Sequence, residues 1–150
     1  MLLTSQEAAG NLSPRVANRF EATGETMQKL FSVKEANGLI PHLRGLLAKA
    51  QAEKQRMMEM KPELEKAQQQ HIYDWGTPLG VQYIEILDAF HQALRDIEDL
   101  GVLVKDFDLG LCDFPHKREG RVVLLCWKQD EEEVSWWHDL DAGFAGRQPI

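Results

Sequence analysis

Beyond Val33 the apolar positions of this chain fall into two regimes with different periods. Between residues 33 and 100 they recur every three or four places, the period of a helix viewed from one side. After Gly101 they recur at alternate places or in short branched blocks, the pattern of strands. Residues 1–26 show neither pattern. They carry Ser5, Gly10, Asn11, Ser13, Pro14, Thr23 and Gly24, with Phe20 as their one aromatic residue. They are expected to be a flexible extension with a short helix after Pro14. Met27 is expected to be the true start of a single domain spanning 27–150.

The helical half has local start and stop signals. Ser32 and Glu35 have the spacing of a capping box, so the first helix is predicted to begin at Val33. Pro41 lacks an amide proton and is predicted to kink it near Asn37-Gly38, with Pro62 adding a second kink. The apolar stripe runs through Leu43, Leu46, Leu47, Ala50, Met57, Leu64 and His71. It is thin, because Lys54, Lys61 and Gln68 stand where a second seam would run, so the far end is expected to project from the core. Trp75-Gly76-Thr77-Pro78 reads as a turn, with Thr77 as cap and Pro78 in the first helical position. The second helix carries a fuller stripe: Leu79, Tyr83, Ile86, Leu87, Phe90, Leu94, Ile97 and Leu100, closed by Gly101. Helices joined this closely pair antiparallel.

The remainder reads as strands: Val102–Lys105, Leu111–Phe114 ended by Pro115, Arg121–Trp127 and Val134–Asp139. The turns are Asp108–Gly110, His116–Gly120 and the acidic run Asp130–Glu133. Gly143–Ile150 reads as an irregular tail. The expected fold class is α+β: a long antiparallel helical hairpin packed on a small antiparallel β-meander of three or four strands.

Composition narrows the function classes. With 150 residues and 43% hydrophobic content, the chain can build one ordinary core. A net charge of -7 argues against a nucleic-acid surface. The small patch Lys117, Arg118 and Arg121 is diluted by Glu119. The longest apolar run, Val122–Trp127, falls far short of the ~20 residues of a spanning helix, and the amino terminus lacks the form of a secretory signal. No membrane partner is expected. Two cysteines, Cys112 and Cys126, read as free thiols of a cytoplasmic protein.

Reactive side chains gather in the last third: Lys105, Asp106, Asp113, Cys126, His138, Asp139 and Arg147. If the first hairpin turns at Leu109, Lys105 faces Asp113 as a cross-strand ion pair that could tune a pKa. Alternation places Val134, Trp136 and His138 on one face and Ser135, Trp137 and Asp139 on the other. His138 could therefore meet Cys126 or Asp113 from other strands, in a metal site or a Cys-His nucleophile arrangement. It could equally be a structural histidine on a backbone carbonyl. Cys112 and Cys126 could fall near each other, but buried thiols acting as small apolar groups are the simpler reading. Asp88-x-x-His91, with Glu85, has the spacing of a helical metal-ligand pair, without a counterpart on the first helix. In Gly143–Pro149, Arg147 is either an anion clamp or a partner of Asp139 or Asp141, with Phe144 filling a gap. The polar stretch Gln51–Gln70 could serve self-association or stand as a solvated face.

Several of these segments together resemble a known family. They are Leu30-Phe31-Ser32-Val33-Lys34-Glu35-Ala36-Asn37 with Leu39-Ile40-Pro41, Gly101-Val102 with Lys105-Asp106, and Gly110-Leu111 with Asp113-Phe114-Pro115. Gly120, Leu125-Cys126-Trp127, Trp137-His138-Asp139 and Gly143–Pro149 continue the match. Over about residues 27–150 the chain resembles the bacterial domain of unknown function, family 2203. The resemblance implies a small cytoplasmic protein and brings no activity, substrate or cofactor. Cys112 departs from the aliphatic residue expected there, so a two-cysteine site is not built on it. Two functions are carried forward. One is a non-catalytic module that binds a partner protein or small ligand through sheet and tail and forms a homodimer through the hairpin. The other is a hydrolase using a divalent metal on His138, Asp113 and Cys126, with Arg147 stabilising developing charge. The sequence itself requires no cofactor.

Overall fold

A computed structural model describes residues 29–70 and 76–150. The expected extension over 1–26, the start at Met27 and the positions of His71 and Trp75 lie outside these residues. The chain divides into two compact units. One takes the chain up to Ile40 together with Gly101–Ile150, and the other is Pro41–Leu100. With two helices and an antiparallel sheet of five strands, the fold is α+β.

Helix α1 is Val33–Gln69 and α2 is Pro78–Asp99. Both begin where the sequence signals them. The Ser32 amide donates to the Glu35 carboxylate at 2.8 Å and the Glu35 amide to the Ser32 hydroxyl at 3.1 Å, which satisfies two amides that a helix start leaves without partners. Thr77 Oγ1 accepts from the Gly80 amide at 3.2 Å, ahead of Pro78. Neither Pro41 nor Pro62 ends α1. Within Pro41–Leu100, Leu43, Leu47 and Ala50 of α1 and Ile86, Ala93 and Ile97 of α2 are buried. No residue of α1 after Ala50 is fully buried, in keeping with its thin stripe. After α2 the chain turns at Gly101, whose φ of 86° is open to glycine at little cost.

The other unit holds the sheet. Its strands are β1 (Leu103–Asp106), β2 (Leu111–Arg118), β3 (Arg121–Lys128), β4 (Trp136–His138) and β5 (Gln148–Pro149), in that spatial order and all antiparallel. The sheet thus has five strands where three or four are expected. The fifth lies in the expected irregular tail, where Gln148 pairs with Trp137, Pro149 with Trp136, and the Ile150 amide donates to the Ser135 carbonyl at 3.0 Å. β4 is shorter than the expected Val134–Asp139. At its entry the Val134 amide is bound by the Asn37 side chain at 2.7 Å instead of by a strand.

Pro115 does not end β2, which continues to Arg118. The reason is local. The Pro115 carbonyl accepts from the Phe31 amide at 2.7 Å, so the backbone of Pro115 faces away from β3. Its missing N–H therefore costs no bond of the β2–β3 ladder. His116 Nδ1 reaches the Phe31 carbonyl at 2.7 Å. The following turn is then only Glu119-Gly120, with φ of 51° and 80°. Two positive φ values define the tight turn that matches strand twist.

Register assigns the two faces, because paired residues share a face and neighbours alternate. One face buries Cys112, Phe114, Val123, Leu125 and Trp127, and the Phe31 ring meets Phe114 edge-on at 5.4 Å. The other carries Asp113, Pro115, Leu124, Cys126 and His138, all buried.

Candidate functional site

Three strands bring the chemistry of this second face together. Asp113 on β2 pairs with Cys126 on β3, and His138 on β4 pairs with Leu124, two places along β3 on the same face. One ligand atom from each of Asp113, Cys126 and His138 lies within 4.8 Å of the other two. His138 and Asp113 are 2% and 1% exposed, the two buried polar or charged side chains among the described residues. His138 Nε2 stands 3.1 Å from Asp113 Oδ2, and its Nδ1 2.7 Å from the Asp139 carbonyl oxygen. Asp113 Oδ1 is buried and has no hydrogen-bond partner among the described residues.

Burial by itself would pull the His138 pKa down. The bonds to Asp113 and to the Asp139 carbonyl, with the Asp113 charge, outweigh burial and the opposing charge of Lys105, so it ends raised. Burial pushes the Cys126 thiol up to about 12, with the Asp113 charge adding to it and Arg147 opposing. Cys112 also reaches about 12, through burial and then Asp113. These are protonated thiols at neutral pH. A Cys-His nucleophile is poorly served here, since His138 turns one nitrogen to a carbonyl and the other to a carboxylate.

The remaining candidates scatter. Lys105 does not face Asp113: Leu103 does, because the hairpin closes with Asp106 opposite Leu111, and a further register shift between Val104 and Asp106 leaves Lys105 in the irregularity. Asp106 is exposed and accepts from the Leu109 amide at 3.0 Å, closing the turn. Asp139 pairs with Arg121. Arg147 takes neither Asp139 nor Asp141. Its Nη2 reaches both Glu131 carboxylate oxygens at 2.8 and 2.7 Å, and the Cys126 carbonyl at 3.3 Å. Phe144 fills no gap, being 47% exposed. The two cysteines stay apart, since Cys112 pairs with Trp127 and so faces opposite to Cys126. Glu85, Asp88 and His91 are exposed and join no cluster of three potential metal ligands among the described residues.

Two residues outside the sequence-derived candidates matter here. Glu131 holds Arg147 and also accepts from the Lys128 amide at 2.8 Å. Trp136, paired with Cys126, lies with its ring centroid 5.2 Å from the Arg147 guanidinium, while the Phe144 centroid is 4.6 Å from it. Glu131 sits in an acidic run that reads as a solvated turn, and nothing local points sixteen residues ahead. Trp136 could have been found from its alternation with His138.

A small antiparallel sheet carrying a buried Asp-Cys-His cluster is the frame these elements define. The chain matches the model of the uncharacterized conserved protein family DUF2203 over residues 29–150, and it belongs to that family. Comparison with curated proteins and with solved structures finds no match. Among the described residues no helix is long and apolar enough to cross a membrane.

Proposed function

We propose that this protein is a non-catalytic interaction module that grips an apolar side chain of a partner protein with the ridge formed by Trp136, Arg147 and Phe144. The observation that carries this reading is the preorganisation of the ridge. Arg147 is pinned by Glu131 and lies against both rings, yet Trp136 stays 36% and Phe144 47% exposed. Tryptophan and arginine dominate binding hot spots, and side chains already held in place lose little entropy on binding.

The hydrolase reading draws support from the closeness of Asp113, Cys126 and His138. It is weakened by their burial and by the engagement of Arg147 with Glu131. Within the preferred reading the protein works in the cytoplasm, where its two free thiols stay reduced. Its hairpin unit mediates a homodimer, supported by Val81 and Ile84, one turn apart on α2 and each 46% exposed. A strict monomer in sedimentation at high concentration removes the dimer from the proposal.

The ridge is tested by selecting displayed random peptides against the immobilised full chain. Enrichment of peptides with aromatic or aliphatic anchors is expected, with binding at least ~10-fold weaker to Phe144→Asp and to Trp136→Ala. No enrichment, or binding that ignores both substitutions, overturns the reading. Zinc-dependent hydrolysis in a substrate panel, lost in Cys126→Ala, installs the enzyme in its place.

A further inference from the structure

Apart from the ridge, the sheet holds a cluster whose geometry calls for a cation. The first sign is the orientation of His138. A carbonyl oxygen only accepts, so Nδ1, 2.7 Å from the Asp139 oxygen, carries a proton and donates it. Nε2 is thereby aimed at Asp113 Oδ2, 3.1 Å away. A bare lone pair facing a carboxylate oxygen at that separation is repelled, so a positive centre belongs between them. That centre is either a proton or a metal ion. A backbone carbonyl behind the ring is also how metal-binding histidines are commonly held in one tautomer.

The second sign is independent of the first. Asp113 Oδ1 is buried in a side chain 1% exposed and has no hydrogen-bond partner among the described residues. A carboxylate oxygen stripped of water and left bare is costly, and coordination removes that cost. The third sign is the donor set itself. An imidazole nitrogen, a cysteine sulfur and a carboxylate suit zinc and its neighbours, whereas magnesium and calcium take oxygen ligands. Around a tetrahedral zinc the ligand atoms stand ~3.3–3.8 Å apart. The atoms here already lie within 4.8 Å of one another. If Asp113 offers both oxygens, three residues supply four donors.

We infer that Asp113, Cys126 and His138 form a binding site for a divalent transition metal of the zinc class, fastening β2, β3 and β4 to one another. On binding, the Cys126 thiol gives its proton to solvent and the sulfur bonds the metal as thiolate. The enclosure of the site fits a fastening ion rather than one that meets substrates. This inference does not depend on the ridge, and its test fails or succeeds separately.

The full chain is stripped with a chelator, desalted and titrated with zinc and, separately, with cobalt. One metal per chain is expected. Cobalt should produce a thiolate-to-metal charge-transfer band. Cys112→Ala should keep both, because Cys112 faces the opposite side of the sheet. Cys126→Ala should abolish the band, and His138→Ala should weaken zinc binding at least ~10-fold. Should Cys126→Ala fail to fold, Cys112→Ala alone decides: the chain has two cysteines, so a band that survives there comes from Cys126. Sub-stoichiometric metal in the wild type overturns the inference. So does a band lost in Cys112→Ala, a band kept in Cys126→Ala, or zinc affinity unchanged in His138→Ala.

Discussion

The two units handle polar side chains in opposite ways. In Pro41–Leu100 no described carboxylate or histidine is buried with the aliphatic core residues, and Asp88 and His91 are exposed. In the sheet unit an aspartate and a histidine are sealed among Leu124, Pro115 and Cys126. A helix with a thin stripe has ample surface on which to solvate charge. A sheet strand sends every second residue into the same face, so a polar residue there must be matched or bare. The helical unit therefore needs only packing, whereas the sheet unit depends on a specific electrostatic arrangement.

That contrast can be broken most directly at Asp113. Asp113→Ala in metal-free protein leaves His138 buried without its carboxylate and should lower stability by about 3 kcal/mol. Asp88→Ala in the hairpin should stay within about 0.5 kcal/mol. Urea unfolding of both variants measures the difference, and equal losses would erase the distinction. A smaller effect tests whether the hairpin unit draws on local signals. Thr77→Ala removes the cap of α2 and should cost about 1 kcal/mol, read from the same unfolding curves. The smallest concerns the cap of α1, on the sheet side of the division. The Ser32 amide, and then its hydroxyl, hold the Glu35 carboxyl below its ordinary value. A lowered pKa in the folded state means stability that is present above the ordinary carboxyl range and lost as pH falls through the lowered value. The melting temperature of wild type should thus exceed that of Glu35→Ala at neutral pH, and the gap should narrow in acid. A gap that widens in acid would reverse the assignment.

These contrasts also mark how far the chain can be read directly. The two helix starts are bounded by contacts three residues away, Ser32 with Glu35 and Thr77 with Gly80, and the second helix is followed by the positive φ of Gly101, all of them local signals. The order of the strands follows from short turns. Lys105 misses Asp113 because the hairpin closes with Asp106 opposite Leu111 and the register shifts again between Val104 and Asp106, and no local signal announces either. Pro115 looked like a stop because the direction of its backbone depends on Phe31, 84 residues earlier. β5 leaves no trace in the sequence pattern because two residues ending in proline carry no periodicity. The cluster stood between: Asp113, Cys126 and His138 were candidates by type, but only the register of β3 against both neighbours puts them within reach of one ion.

The last strand has a consequence for how copies of this protein meet. The Ile150 amide points inward to Ser135, so the backbone of Pro149, one place earlier, points outward. Proline has no N–H to present, and at this position the rim of the sheet offers an acceptor without a donor. A passing strand finds half a ladder there. One end of the sheet is thereby guarded against the runaway stacking of chain upon chain that open sheet edges invite in a crowded solution.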